Sequence, residues 1–245
     1  MAIATAPAEI AANADKTLAD RALRLLREDI LAGRLAPDAR LRMVELRARY
    51  DLGISPLREA LLRLSSEGLV VAEGQRGFTV ASVSLEELGD LTRARISLET
   101  MLLSEAIAHG DANWEAGMLA ALHRLSRTPV PRDARDTAAT ALWEERHRAF
   151  HQALVAGCGS AWMLRMHGQL SDHAERYRRV RLFHSVPTLQ LARKVDDEHR
   201  ALMQSLLDRD AARAARLARA HLEYTARVVA SLWQTAPRRS GRRAA

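Results

Sequence analysis

The sequence has one cysteine, few aromatic residues and no long apolar run, and each shortage excludes a class of protein. Because Cys158 is the single cysteine in 245 residues, no intramolecular disulfide can form, which favours a protein of the cell interior. The longest apolar runs, such as 228–233, are far shorter than the roughly 20 residues that cross a bilayer. The first thirty residues carry acidic side chains and show no signal-peptide pattern. We therefore expect a cytoplasmic protein without membrane contact.

What the chain has in excess is helix-forming residues and positive charge. Aromatic residues make up only 4% of the chain, whereas Ala, Leu and Arg are abundant, which favours helices over a β-sandwich. The formal net charge is +7, but residues 1–83 hold 12 basic against 11 acidic side chains, and the last nine residues alone hold four arginines. Bulk charge therefore does not identify a DNA-binding protein. A local cluster is more informative, and its members are Arg40, Arg42, Arg47, Arg49, Arg58 and Arg63.

Apolar spacing and helix breakers divide the chain into a short mixed unit and a long helical one. The spacing predicts helices over 17–31, 44–50 and 57–67, with Gly53 breaking the second helix. Ser55 is the expected N-cap of the third helix, and Pro56 lies in its first turn. Two short strands, 69–72 and 78–81, then surround a glycine-rich turn. Three helices followed by a β-hairpin form the winged helix-turn-helix pattern, which we place at 17–83.

The remainder of the chain is helical in period. About six helices are expected over 84–233, with breaks near 110–113, 128–132, 157–160 and 185–187. We expect this segment to form an all-α bundle. Residues 1–16 are predicted to be a flexible arm and 234–245 a basic tail. The predicted fold class is therefore mainly α: a winged helix-turn-helix with a small β-hairpin, followed by a helical bundle.

Several residues of the first unit are placed to contact DNA. Arg58 lies one turn into the third helix and can reach a phosphate or a guanine edge, and Ser55 with the helix N-terminus suits a phosphate. Arg47 and Arg49 come from the preceding helix, which crosses the DNA backbone in this motif. At the hairpin tip we expect contacts from Arg76 and Gly77. For each arginine alone, a solvated surface side chain is the alternative.

Four histidines of the helical segment have the spacing of a metal site. His147 and His151 are four residues apart and therefore share one helix face. His199 and His221 fall in two later helices beside apolar residues. Four converging imidazoles would bind Zn²⁺ or a similar borderline metal. The alternative is four unrelated histidines on amphipathic helices.

The first unit resembles the DNA-binding domain of GntR-type regulators. The resemblance rests on Leu-Arg-Glu-Ala-Leu at 57–61, Glu-Gly-Leu-Val at 67–70 and Arg-Gly at 76–77. Family members usually enter the recognition helix through Val-Ser-Arg-Thr-Pro, whereas this chain has Leu-Gly-Ile-Ser-Pro at 52–56. Ile54 thus stands where the family commonly has a base-reading arginine, and Arg58 is retained.

The second unit resembles the FCD ligand-binding domain of the FadR branch of this family, on the runs 95–99, 150–151, 198–199 and 221–222. The resemblance implies a helical bundle that holds a divalent metal through an Asp and three His. His151, His199 and His221 match the three histidines, and His147 stands at the Asp position. The metal implied is zinc, with nickel or manganese as alternatives. A site without metal, where the histidines and an arginine hold the effector directly, is a further alternative.

The same resemblance assigns an effector site. Arg95 matches the arginine that commonly faces the effector carboxylate, and the alternative for it is a surface pair with Glu99. Tyr177 and Arg178 are additional effector-site candidates, with a helix surface as their alternative. Runs at 146–151, 155–160 and 176–178 are similar to the CsiR-type, carbon-starvation-induced subgroup. That similarity implies a repressor that responds to glutarate or a related dicarboxylate. From the two modules we expect a homodimer on a palindromic operator, in which the helical segment 84–233 binds the effector and makes the dimer contact.

Two other classes of protein fit the sequence less well. A metal-dependent hydrolase of the His-Glu-x-x-His type would need a glutamate after the first histidine, where this chain has Arg148. The run 157–161 does not fit the Gly-x-Ser-x-Gly elbow of serine hydrolases. We therefore expect no enzyme. An architectural DNA-binding protein without effector would need neither Arg95 nor converging histidines.

Overall fold

A computed structural model describes residues 17–74, 77–131, 136–184 and 189–235. The chain forms two compact units, with the division between Val83 and Ser84. Across the described residues the structure is mainly helical with one small sheet, which confirms the predicted fold class. No helix in these ranges combines the length and the apolar composition that crossing a membrane requires.

The first unit packs three helices against a small antiparallel sheet. Its elements are α1 (Leu18–Leu31), β1 (Arg40–Leu41), α2 (Met43–Tyr50), α3 (Ile54–Ser66), β2 (Val70–Ala72) and β3 (Phe78–Val80). The strand order is β1-β3-β2, so the predicted hairpin gains a third strand in which Leu41 pairs with Phe78. Leucines of α1 and α3 form the centre of the core together with the inner faces of the strands.

The recognition helix α3 begins earlier than the spacing predicted. Asp51 adopts a left-handed conformation with φ 52° and ends α2, so that only three residues separate α2 from α3. The predicted break at Gly53 is therefore displaced, and Gly53 is the N-cap of α3 without a side-chain hydrogen bond. Ser55 is not the N-cap, as we had expected, but the second residue of the helix.

The second unit is a bundle of long helices. Its elements are α4 (Leu85–His109), α5 (Ala112–Ser126), α6 (Thr137–Val155), a 3-10 turn (Ala156–Cys158), α7 (Ala161–His184), α8 (Leu189–Leu207) and α9 (Ala211–Thr235). Ser84 and Asp111 cap α4 and α5 by accepting backbone N–H groups of the first turn. The core is formed by fully buried side chains such as Leu102, Met118 and Phe150.

Some predicted boundaries fall outside the described residues. The arm 1–16, the hairpin tip with Arg76 and the predicted break at 185–187 belong to this group. The basic tail was expected to begin at 234, but α9 continues to Thr235, and the residues after it are outside the described ranges.

Candidate functional site

Four histidines from three helices of the second unit converge on one buried point. His147 and His151 lie on α6, His199 lies on α8 and His221 on α9. Each offers one ring nitrogen, and these four nitrogens all lie within 4.8 Å of one another. None of the four residues is more than 7% exposed. The structure thus brings the four predicted residues together, and their role as metal ligands stays a prediction.

The chemistry of this cluster fits a divalent metal. Among the described residues, Nδ1 of His147, both ring nitrogens of His151 and Nε2 of His199 are buried without a hydrogen-bond partner. Each such atom costs about 1–3 kcal/mol, and a coordinated cation would remove that cost. Four nitrogens that ligate zinc at 2.0–2.1 Å lie about 3.3 Å apart. The cluster would therefore contract by a small amount around an ion.

Two carboxylates lie behind the histidine rings. Glu198 Oε2 is 2.9 Å from Nδ1 of His221, and Glu99 Oε1 is 3.4 Å from Nδ1 of His151. Metal-bound histidines commonly give their second ring N–H to a carboxylate, which fixes the orientation of the ring. Glu198 therefore holds His221 so that Nε2 is left for the centre of the cluster.

Burial favours the neutral form of His147, His151 and His199. It lowers the pKa of His151 to about 4, although the Glu99 carboxylate opposes the shift. The pKa of His147 lies well below its usual range because of burial and then because of the nearby His151 and Arg178. Burial and the His221 ring hold the pKa of His199 well below its usual range as well. Neutral imidazole is the form that binds a metal.

Glu99 and His167 belong to the site, and sequence reasoning did not identify them as site residues. Glu99 is 1% exposed, and its Oε2 lies 3.4 Å from Nη2 of Arg95 and 3.7 Å from Nε2 of His167. Although burial raises the pKa of the Glu99 carboxyl, His151, His167 and Arg95 outweigh it and hold that pKa well below its usual range. The Arg95–Glu99 pair is therefore buried, and the surface pair considered as an alternative is wrong.

The other two predicted effector residues are also buried and already have protein partners. Arg178 donates from Nη2 to Oε2 of Glu144 at 3.0 Å, and both side chains are at most 5% exposed. The hydroxyl of Tyr177 donates to Glu87 and accepts the backbone N–H of Ser84 at 3.2 Å. Neither residue lies on a helix surface.

A small cavity joins the predicted effector residues. It is enclosed by α4, α7 and α9, and Arg95, Tyr177 and Arg178 all line it together with apolar side chains such as Leu88 and Leu222. Its solvent space is about 20 Å³, which is room for about one water molecule. The three candidate effector residues therefore line a cavity that is too small for a dicarboxylate in this conformation.

In the DNA-binding unit, the predicted DNA-contacting arginines differ in whether they form ion pairs within the protein. Nη2 of Arg49 lies 2.5 Å from the buried Asp29, which also accepts hydrogen bonds from Arg34 and Tyr50. Arg49 thus supports the fold. Arg47 and Arg58 are exposed, and within the described ranges neither has an ion pair or a side-chain hydrogen bond. These two arginines are free to contact DNA.

The remaining DNA-contact candidates lie at the start of α3 and in the wing. Ser55 is exposed in the first turn of α3. Gly77 has φ 98°, and nothing lies within 4 Å of the position where a Cβ would be, so backbone conformation rather than crowding favours glycine there. Arg76, the predicted tip residue, lies outside the described residues.

A winged helix-turn-helix with exposed arginines, joined to a helical bundle with a buried charged site, defines a DNA-binding transcription regulator. Comparison with protein families gives a more specific assignment. Residues 18–80 match the bacterial regulatory proteins of the gntR family, and residues 90–224 match the FCD domain. The chain belongs to the gntR family, in its branch with an FCD domain, as the resemblance predicted.

Individual relatives agree with this assignment. The HTH-type transcriptional repressor GlaR of Escherichia coli K12 is 45% identical over 201 residues, which are 81% of this chain and 90% of GlaR. The uncharacterized HTH-type transcriptional regulator BphR of Paraburkholderia xenovorans LB400 is 40% identical over 215 residues, 87% of this chain and 86% of BphR. The solved structure of E. coli McbR/YncC shares the fold, with a TM-score of 0.71 at 23% identity over 89% of this chain and 98% of that one. Because the relatives are regulators, the prediction of no enzyme is confirmed.

Proposed function

We propose that this regulator is a repressor that binds a palindromic operator as a homodimer and leaves it when a small dicarboxylate binds beside a divalent metal in the helical unit. The repressor role follows the similarity to GlaR, which is described as a transcriptional repressor. The observation that carries the effector site is the buried histidine cluster in contact with the Arg95–Glu99 pair. Glutarate is the effector proposed first, from the similarity of short runs to the CsiR-type subgroup.

The DNA contacts follow from the free side chains of the first unit. Arg47 on α2 is suited to a backbone phosphate, and Arg58 on α3 is suited to a phosphate or a guanine edge. The first turn of α3, with Ser55 exposed, offers backbone N–H groups to a second phosphate. The wing with Arg76 and Gly77 would then reach the adjacent groove.

The metal proposed is zinc, with nickel and manganese as alternatives. Three or four neutral imidazoles favour a borderline cation over magnesium or calcium, which prefer oxygen ligands. The ligands proposed are His147, His151, His199 and His221. When bound, the metal would supply a fixed positive charge to which a carboxylate oxygen can coordinate. The chain's own part is to hold neutral rings in place, through Glu198 behind His221.

Charge at the site favours a dianion. In the buried region beside the cluster, Arg95 and Arg178 are matched by Glu99 and Glu144, so these four side chains add no net charge. The Glu198 carboxylate beside His221 is 26% exposed, so solvent screens its charge. A divalent cation then leaves an excess of two positive charges in a region of low dielectric. A dicarboxylate cancels that excess, whereas a monocarboxylate leaves one buried charge unmatched, which is costly. The metal-loaded site therefore prefers small dicarboxylates.

Effector binding also requires the site to open. The cavity of about 20 Å³ holds about one water molecule, so a five-carbon dicarboxylate needs the lining helices to move apart. Arg95 would exchange its contact with Glu99 for the effector carboxylate, which it can hold through two hydrogen bonds. A ligand that fits only an opened form shifts the protein towards that form. This opening is what we expect to lower operator affinity.

The test is an anisotropy titration of the full chain with an operator selected from random duplex DNA, at fixed salt. Metal-loaded protein should lose operator affinity by about 5- to 150-fold with glutarate, the range typical of allosteric coupling. Acetate and butyrate should have much weaker effects. If no small dicarboxylate changes the affinity, the effector assignment is wrong. An equal response after treatment with EDTA would show that histidines and arginines hold the effector without a metal.

A variant that changes the net charge of the metal-loaded site provides a second test. His147→Asp introduces the carboxylate that the family usually has at this position and adds one negative charge to the loaded site. Its effector preference should therefore shift from dicarboxylates towards monocarboxylates. The matched control is His147→Asn, which removes the imidazole without adding charge and should keep any remaining preference for dicarboxylates. An unchanged preference in His147→Asp would contradict the charge argument.

A further inference from the structure

The recognition helix begins with an exposed isoleucine. Ile54 is the first residue of α3 and is 49% exposed, whereas Leu57 and Leu61 of the same helix are fully buried in the core. Ile54 therefore has no part in the core packing of α3. It is followed one turn later by Arg58, which is exposed on the adjacent part of the helix surface.

A second exposed apolar side chain lies near this position. Val44 on α2 is 79% exposed, and it lines an open groove of about 490 Å³ that extends to Gly53, the residue before Ile54. Arg47 lines the same groove, and so does the acidic Asp51. The start of α3 is thus bordered by apolar side chains as well as by charged ones. A surface of this kind is suited to a partner that carries both phosphates and exposed methyl groups.

DNA provides such a combination in its major groove. Side chains near the N-terminus of a recognition helix reach base edges, and the C5-methyl group of thymine is the apolar group displayed there. Isoleucine cannot donate hydrogen bonds to guanine, but it can cover a thymine methyl. We propose that Ile54 contacts thymine methyl groups, so that each operator half-site carries thymine next to the base or phosphate that Arg58 contacts. This inference rests on the proposed operator binding.

Loss of one thymine methyl contact should have a measurable effect on operator affinity. Covering one methyl group with an apolar side chain should change the dissociation constant by about fourfold. A thymine replaced by deoxyuridine loses only its C5-methyl group and keeps every hydrogen-bonding atom. Substitution of single thymines therefore isolates this contact from all phosphate and hydrogen-bond contacts.

The experiment uses the full chain and an operator selected from random duplex DNA. Each thymine is replaced in turn by deoxyuridine, and affinities are measured for wild type and Ile54→Ala. At one or two positions of each half-site, wild type should lose about fourfold per methyl, and Ile54→Ala should lose nothing further. Leu62→Ala is the matched control, because Leu62 is an exposed leucine two turns further along α3 and should not alter the response to deoxyuridine.

A gain of specificity provides a second readout. Selection with Ile54→Arg should recover guanine where wild type recovers thymine, because arginine pairs with the O6 and N7 atoms of guanine. The inference is overturned if Ile54→Ala keeps the full sensitivity of wild type at every thymine, or if wild type is insensitive throughout. Failure of wild type to select any duplex would instead refute the proposed operator binding itself.

Discussion

At the residue scale, the partners of a charged side chain decide what it is free to do. Asp29 is buried and is contacted by Arg34, Arg49 and Tyr50, so it joins α1 to α2 from inside the unit. Arg47 lies two residues before Arg49 on the same helix and has no such partner among the described residues. Two arginines that the sequence makes equivalent are therefore expected to differ in function.

Substitution of each arginine tests this difference. Arg47→Ala should weaken binding to all duplexes and reduce the slope of log affinity against log salt by about 1, because one phosphate contact is lost. Arg49→Ala should leave that slope unchanged and lower the free energy of unfolding by about 1 kcal/mol through its lost ion pair with Asp29. Anisotropy titrations at several salt concentrations and urea unfolding measure the two effects. A reduced salt slope in Arg49→Ala would contradict the assignment.

The neutral histidine cluster makes stability depend on pH. In metal-free protein, the pKa of His151 is about 4 when folded, against about 6.5 when unfolded. Between these values the unfolded chain binds a proton that the folded chain does not, so the free energy of unfolding falls as the pH decreases from 6.5 towards 4. At about 1.4 kcal/mol per pH unit, this residue alone accounts for about 3 kcal/mol. His147 and His199, whose pKa values are also lowered by burial, make the slope steeper.

Urea unfolding of EDTA-treated protein at pH 7, 6 and 5 measures this dependence. The variant His151→Gln should show a shallower decrease than wild type over the same range. His109→Gln is the control for the loss of a histidine outside the cluster, because the side chain of His109 is 62% exposed. Equal stability of wild type at pH 7 and pH 5 would show that the cluster is not neutral in the folded protein.

The candidate site could be predicted from the sequence in part. The spacing of His147 and His151 fixes their common face, but the approach of His199 and His221 depends on the packing of three helices, which spacing does not contain. The resemblance to the FCD domain supplied that information. His167 carried no comparable signal, because its link to Glu99 exists only in the tertiary structure.

At the element scale, local signals predicted the helices better than their exact ends. The early start of α3 follows from the left-handed conformation of Asp51, which glycine more often adopts, so the glycine at 53 was a misleading signal. Strand β1 was missed because two residues are too few to show an alternating pattern, and its pairing with β3 is a tertiary contact. The sequence predicted the break between α4 and α5, and the structure shows why its first residue, Gly110, is a glycine.

Replacement of Gly110 and of Gly117 by alanine should have opposite effects on stability, because only Gly110 is crowded. A Cβ at Gly110 would lie 2.0 Å from Cε3 of Trp114 and 2.5 Å from the carbonyl oxygen of Ala106, so Gly110→Ala should destabilise the protein by about 1–3 kcal/mol. Gly117→Ala on α5 meets nothing within 4 Å and should stabilise the helix by about 0.5–1 kcal/mol. Urea unfolding of both variants provides the measurement. Shifts of the same sign would contradict the packing argument.

At the scale of the whole molecule, one side chain connects the cavity to the start of the helical unit. Tyr177 lines the cavity, and its hydroxyl accepts the backbone N–H of Ser84 while it donates to Glu87. Ser84 caps α4 and directly follows the last residue of the DNA-binding unit. We therefore expect an effector that opens the cavity to disturb the bond that fixes the beginning of α4. This is the route by which we expect binding of the acid to reach the DNA-binding unit.

Removal of the hydroxyl should separate effector binding from release of DNA. Tyr177→Phe keeps the ring in the cavity but loses both hydrogen bonds, so the dicarboxylate should still bind while its effect on operator affinity falls to a small fraction of the wild-type factor. The loss of stability should be about 1 kcal/mol. Calorimetry gives effector affinity, and anisotropy with and without effector gives the coupling. Tyr224→Phe is the control, because Tyr224 lies on α9 against Lys194 and does not line the cavity. If Tyr177→Phe binds the acid and releases the operator as wild type does, the coupling does not pass through Ser84, since the bond it needs is absent.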